Sequence, residues 1–288
     1  MNTLSEIRGY FSRELSDKFT DRELKTIVKF LYRTGFSASD SDFLLDQEKR
    51  MSESDLLFFH KALKRLKEDE PLQYVLGETE FYGLDLKIDH RALIPRPETE
   101  ELVDWILKSD HRKEHVADFC AGSGCIALAL KANLKESTIF AFEFSDEAIS
   151  LIEENKQRLN LKIEVIESDV LKDLYSPMLN VKLDVIVSNP PYIPNKDKSA
   201  MSPNVLNYEP AMALFVEDED PLIFYREIIE RSKTVLKNNG WLYFEIHENL
   251  GEEVMDLFKM NEFVNIELRK DLQGKDRMVR GQVVTFHS

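Results

Sequence analysis

The sequence predicts an α/β domain whose mostly parallel sheet is covered by helices on both faces, preceded by a small helical domain. Three observations carry this. Over residues 1 to 70, apolar positions recur at three- and four-residue intervals, the period of a helix with one buried face. From His115 onward, short β-rich runs alternate with amphipathic runs of helix length, the pattern of repeated βα units. At 288 residues the chain can form one sizeable α/β core and a smaller partner.

The N-terminal stripes are Leu4, Ile7, Phe11 and Leu15, then Leu24, Ile27, Val28 and Leu31, then Leu56, Phe59, Leu63 and Leu66. Thr20 followed by Glu23 reads as a capping box opening the second helix, and Arg65, Lys67, Glu68 and Asp69 mark the wet face of the last. No catalytic constellation lies here. Residues 1–70 are therefore expected to serve packing or recognition. From Pro71 the pattern changes, and Phe81-Tyr82-Gly83-Leu84-Asp85-Leu86-Lys87-Ile88 alternates around a glycine, so residues 71–97 are expected to form a β-hairpin linker. Pro97 then opens a helix through Leu102, Val103 and Ile106, with Glu98 and Glu100 where the helix dipole favours them.

Residues 98–288 carry the alternation. Strands are expected at His115 to Phe119, Thr138 to Phe144, Ile163 to Ile166, Leu183 to Ser188, Trp241 to Ile246, Asn265 to Arg269 and Val279 to Phe286. Helices are expected at Ile126 to Leu134, Asp146 to Leu159, Leu222 to Leu236 and Glu252 to Met260. A final hairpin through Gln273-Gly274-Lys275-Asp276 must set one strand antiparallel.

Composition narrows the function classes. The formal net charge of −15 repels a phosphate backbone at long range, which disfavours nucleic acid as a partner; the same acidity also keeps a protein soluble. No apolar run approaches the length of a membrane span, and no secretory signal is visible, so a cytoplasmic location is expected. The two cysteines, Cys120 and Cys125, suit neither a disulfide framework nor a zinc site. The six histidines show no metal-ligand spacing, and the usual hydrolase and NTPase motifs are missing.

The chemistry concentrates at strand ends. Asp118-Phe119-Cys120-Ala121-Gly122-Ser123-Gly124 closes the first large-domain strand and opens a helix, where open α/β sheets bind ligands. Gly122 and Gly124 let the backbone approach a ligand, and the unpaired N–H groups behind them suit a methionyl carboxylate; an ordinary glycine turn is the competing reading. Glu143, ending the next strand, can accept hydrogen bonds from both ribose hydroxyls of a nucleoside. Asp169 can hold an adenine amine with Val170 beneath the ring, against the alternative of a turn cap.

Val185-Ile186-Val187-Ser188-Asn189-Pro190-Pro191-Tyr192 is an apolar strand that breaks into a stiff turn. Proline has no N–H, so carbonyl oxygens there lack local donors. The Asn189 side-chain oxygen and the Pro190 carbonyl can together take both N–H groups of a planar amide, with Pro191 and Tyr192 walling the pocket. Holding both N–H groups aims the nitrogen at a methyl donor.

Taken together, these stretches resemble the HemK-type glutamine methyltransferases of peptide chain release factors. The likeness runs from about Pro71 to the C-terminus, through Pro71 to Glu78, Phe81-Tyr82-Gly83, Leu93 to Glu100, Gly122 to Ile126, Ser188 to Pro194, Tyr208-Glu209-Pro210 and Asp271 to Arg277. The resemblance implies a seven-stranded, Rossmann-like class I methyltransferase domain behind a helical N-terminal domain. It implies S-adenosylmethionine as cofactor, held by the loop Asp118, Cys120, Ala121, Gly122, Ser123 and Gly124 with Glu143, Asp169, Val170 and Asn189. Asn189, Pro190, Pro191 and Tyr192 are implied to hold the glutamine of the Gly-Gly-Gln loop of a release factor, a modification serving translation termination. This chain departs in having Cys120 where the family usually has a first glycine, and in lacking a glutamine near Glu245-Ile246-His247-Glu248. Two rivals remain: a nucleic-acid adenine methyltransferase sharing the Asn-Pro-Pro-Tyr pocket, and a cofactor-binding module without turnover.

Overall fold

The computed structural model describes residues 2–173 and 179–284. In chain order the elements are α1 (Leu4–Leu15), α2 (Asp21–Phe36), α3 (Asp40–Leu45), α4 (Glu53–Lys67), α5 (Leu72–Leu76), β1 (Glu78–Phe81), β2 (Leu84–Lys87), α6 (Pro97–Lys108), β3 (His115–Phe119), α7 (Cys125–Asn133) and β4 (Thr138–Glu143). There follow α8 (Asp146–Arg158), β5 (Glu164–Glu167), β6 (Leu183–Ser188), β7 (Ile193–Pro194), α9 (Pro203–Tyr208), β8 (Phe215–Val216), α10 (Ile223–Ser232), β9 (Leu236–Glu245), α11 (Gly251–Met260), β10 (Val264–Lys270) and β11 (Asp276–Gln282). Two compact units result. One comprises the residues up to Glu78 with Ser202–Tyr208, the other Thr79–Met201 with the residues from Glu209 onward.

The first unit is built as its periodicity requires. Leu4, Ile7, Phe11, Leu24, Leu31, Phe59, Leu63 and Leu66 form one buried cluster, each large side chain contributing roughly 1.5–3 kcal/mol. The Thr20–Glu23 capping box is present, and Thr3–Glu6, Ser39–Asp42 and Ser52–Asp55 add three more. Residues Leu72–Leu76, within the stretch read as hairpin linker, form the short helix α5, closed by Gly77 at a φ of 77°.

The second unit contains a seven-stranded sheet in the order β10-β11-β9-β6-β3-β4-β5. β11 is antiparallel to both neighbours and the other described pairings are parallel. Side chains alternate across it: Val116, Val185 and Val187 pack under α6 and α7, while Ala117, Phe119 and Ile186 pack against α10 and α11. The winding reverses between β3 and β6. A crevice therefore opens at their carboxyl ends, where such folds bind ligands.

Several boundaries differ from the sequence reading. The helix read through Leu236 ends at Ser232, and the strand read from Trp241 begins at Leu236. Leu183 pairs with Leu236 and Val185 with Trp241, so Lys237–Gly240 loops out of the strand through Asn239 at a φ of 67°. The last expected strand, Val279 to Phe286, is observed as Asp276–Gln282; Phe286 and His287 lie outside the described residues.

Candidate active site

The crevice holds a cavity of about 370 Å³, within the roughly 300–1,000 Å³ of small-molecule sites. Its walls come from both halves of the winding: Cys120, Ala121, Gly122 and Ser123 after β3, Glu143 and Phe144 after β4, Ser168, Asp169 and Val170 after β5, and Asn189 and Pro191 after β6.

The turn after β3 is held in an uncommon backbone conformation. Cys120, Gly122 and Gly124 have φ values of 61°, 55° and 78°. Glycine adopts this region freely, whereas a Cβ at Cys120 is strained there. A Cβ on Gly124 would lie 3.1 Å from the Ile152 side chain, a tight contact added to a conformation that already favours glycine, while a Cβ on Gly122 would meet nothing within 4 Å. Gly124 caps α7 without a side-chain acceptor. Asp118 supplies one from behind, where its Oδ2 accepts the Ala127 N–H at 3.1 Å. Asp118 is fully buried, its Oδ1 has no partner among the described residues, and burial pushes its carboxyl well above the usual range. Asp118 and Gly124 thus support the turn from outside the cavity wall.

Glu143 joins three backbone donors. Gly122 N–H reaches its Oε2 at 2.7 Å, and the N–H groups of Phe144 and Ser145 reach Oε1 at 2.9 Å each. Asp169 also faces the cavity, yet its Oδ1 accepts Leu171 N–H at 3.0 Å and its Oδ2 pairs with Lys172 at 2.8 Å. Burial raises its pKa, but these partners outweigh that, and the carboxyl sits below its ordinary value. The turn cap is formed, and the same residue lines the cavity.

Asn189 follows β6, and its Nδ2 donates to Thr99 Oγ1 at 3.3 Å. Thr99 donates to Glu245 Oε2 at 2.6 Å, and Tyr192 donates to Glu245 Oε1 at 3.3 Å. Glu245 is 1% exposed, and burial raises its pKa. Tyr192 is likewise pushed up by burial, then by Glu245. Asn189 and Pro191 line the cavity, while Pro190 and Tyr192 stand behind that lining. Glu209 is also buried, and accepts Ile94 N–H at 3.0 Å and Arg96 at 2.7 Å, tying the segment before α6 to the segment after α9.

Sequence reasoning missed Thr99, Ser168, Glu209 and Glu245. An acidic residue closing an apolar strand drew attention to Glu143, and Leu242-Tyr243-Phe244-Glu245 carries the same signal. Ser168 is 2% exposed, lines the cavity, and its Oγ has no partner among the described residues. A buried hydroxyl without a partner costs free energy, so this atom fits a ligand with a polar edge. With the Glu143 carboxylate and the turn after β3, these donors and acceptors match a nucleoside that carries an amino-acid tail.

Away from the cavity, the fold brings together a group that spacing along the chain did not reveal. His115 Nδ1 lies 3.9 Å from Asp184, with Glu114 beside them, and Lys237 Nζ supplies a positive charge 2.8 Å from Asp184.

The comparisons agree with this architecture. The family model described as "Methyltransferase small domain" matches residues 98–207, and that described as "PrmC N-terminal domain" matches residues 6–77. The chain is 39% identical to the release factor glutamine methyltransferase of Flavobacterium psychrophilum, over 96% of this chain and 98% of that protein. It is 35% identical to the protein of that name in Bacteroides thetaiotaomicron, over 96% and 99%, and 38% identical to that of Streptococcus pneumoniae, over 96% and 97%. A crystal structure of a methyltransferase from Pyrococcus furiosus shares the fold, with a TM-score of 0.53 and 14% identity over 70% of this chain and 90% of that one. With two family models matching in tandem and near-complete coverage of relatives above 30% identity, the chain belongs to the release factor glutamine methyltransferase family.

Proposed function

We propose that this chain transfers a methyl group from S-adenosylmethionine to the side-chain amide nitrogen of the glutamine in a Gly-Gly-Gln segment of a peptide chain release factor. The observation that carries the reading is that Asn189, at the head of Asn-Pro-Pro-Tyr, and the Gly122–Glu143 pair line one cavity. On this reading a site for a planar amide adjoins a site for a nucleoside.

S-Adenosylmethionine, when bound, supplies an electrophilic methyl group on a sulfonium. The chain's own residues do the rest. Glu143 and Ser168 receive the nucleoside, the turn from Cys120 to Ser123 faces the amino-acid tail, and Val170 and Phe144 enclose the base. Asn189 Oδ1 and the Pro190 carbonyl accept the two N–H groups of the glutamine amide, which fixes the nitrogen toward the methyl group. An amide nitrogen is a weak nucleophile because its lone pair is delocalised, so orientation is the main contribution, with precedents of about 7–11 kcal/mol for reactions held in line. Transfer would leave S-adenosylhomocysteine, and the amide nitrogen would give up one of its two protons as it gains the methyl group.

The test is methyl transfer from labelled S-adenosylmethionine to a purified release factor, beside its glutamine-to-alanine variant and a duplex DNA. Label on the intact factor alone supports the reading, and label on DNA replaces it with the adenine methyltransferase.

A further inference from the structure

A buried carboxyl group stands one hydroxyl away from Asn189. Glu245 ends β9, Thr99 lies in the first turn of α6, and Asn189 follows β6, so three distant segments meet at one line of hydrogen bonds. The polarity of that line is fixed at Thr99. Its hydroxyl has a single proton, which goes to Glu245 Oε2 at 2.6 Å, so toward Asn189 its oxygen can only accept. It does so from Nδ2 at 3.3 Å. The Asn189 carboxamide must then turn its Oδ1 away from Thr99, and that oxygen takes no hydrogen bond among the described residues.

We propose that Thr99 and Glu245 are positioning residues: Glu245 orders the Thr99 hydroxyl, and Thr99 holds the Asn189 carboxamide with its acceptor, not its donors, presented to the substrate amide. Inverting Asn189 would set its NH₂ against the NH₂ of the incoming glutamine, donor against donor. Tyr192 closes the other side of the carboxylate at 3.3 Å. This ties the fourth residue of the Asn-Pro-Pro-Tyr turn to the same anchor as its first. The inference rests on the reading of Asn189 as the glutamine's acceptor.

The test compares Thr99→Val, which keeps shape and removes the hydroxyl, with Thr99→Ser, which keeps the hydroxyl. Thr99→Val is expected to lower kcat about 10- to 100-fold while cofactor affinity stays within about twofold, and Thr99→Ser to stay within about threefold of the unmodified protein. In parallel, the ¹H–¹⁵N signals of the Asn189 carboxamide are identified by their loss in Asn189→Asp. Their hydrogen exchange is expected to be slow in the unmodified protein and Thr99→Ser and fast in Thr99→Val. Unmodified kcat in Thr99→Val, or Thr99→Ser impaired as deeply as Thr99→Val, overturns the proposal. Unchanged exchange in Thr99→Val overturns it whether or not a release factor is methylated, since that measurement uses no substrate. An unmodified protein that leaves the factor unlabelled overturns the substrate reading alone.

Discussion

The backbone N–H of Gly122 meets Oε2 of Glu143 at 2.7 Å, which ties the turn after β3 to the end of β4. With Phe144 and Ser145 on Oε1, three of the roughly four acceptor positions of this carboxylate are in use. Glu143 is therefore a structural knot as well as the group proposed to receive the nucleoside. Glu143→Ala leaves three N–H groups without an acceptor and is expected to cost about 2 kcal/mol or more of stability. It should also weaken S-adenosylmethionine binding by at least about tenfold, each charged hydrogen bond being worth about 1.5–3 kcal/mol. Denaturant unfolding and titration calorimetry read the two effects separately.

Asn189 carries a narrower burden. Among the described residues its one side-chain hydrogen bond goes to Thr99 at 3.3 Å, so Asn189→Ala should unfold within about 1 kcal/mol of the unmodified protein. Loss of the amide acceptor is expected to reduce kcat about 100- to 1,000-fold with cofactor affinity largely kept. Steady-state kinetics on a release factor, with cofactor titration as the companion, checks the split. A protein without turnover would show no kcat to lose.

Cys120 tests the turn after β3. Its φ of 61° places a side chain where glycine is favoured, yet the side chain packs against the apolar cluster under α10 and α11. Relief of strain and loss of packing oppose each other in Cys120→Gly, and the added freedom of the unfolded glycine offsets the rest, so stability should change by no more than about 1 kcal/mol. Cys120→Val forces a β-branched residue into the same conformation and should cost about 2 kcal/mol or more. Thermal unfolding of both variants measures the two costs.

What the sequence made legible follows from which signals are local. Period-2 and period-3.6 patterning located all seven strands of the large sheet and its main helices, because the buried residues of β6, Val185, Ile186 and Val187, and of α6, Leu102, Val103 and Ile106, lie close together along the chain. The looped-out Lys237–Gly240 was missed because Asn238-Asn239-Gly240 looks like a turn between elements rather than an excursion inside β9. The site divided the same way. Gly122, Glu143 and Asn189 each sit at the end of a readable strand, whereas Thr99 acquires its meaning from Glu245, 146 residues later, and Glu209 from Arg96, 113 residues earlier. Pairings of that range leave no periodic trace.

Asp118 makes a pH prediction. Burial raises its carboxyl well above the unfolded value, so the native state binds the proton more tightly than the unfolded chain. Its stabilising contribution is complete below the unfolded pKa of about 3.9 and is lost as pH rises through the folded pKa. Asp118→Asn cannot ionise and resembles the protonated acid in shape. Its melting temperature relative to the unmodified protein should therefore rise as pH is raised from 4 toward 8, levelling off once the folded pKa is passed. A difference that stays flat across that range would show that Asp118 titrates alike in the folded and unfolded states.

The central claim is that this cavity places a glutamine amide against a methyl donor. Tandem mass spectrometry of a release factor incubated with the protein and S-adenosylmethionine tests it most directly. One added methyl group on the side chain of the Gly-Gly-Gln glutamine, absent when Asn189→Ala replaces the unmodified protein, is the predicted result. A methyl group on any other residue, or an equal yield from Asn189→Ala, would contradict the account.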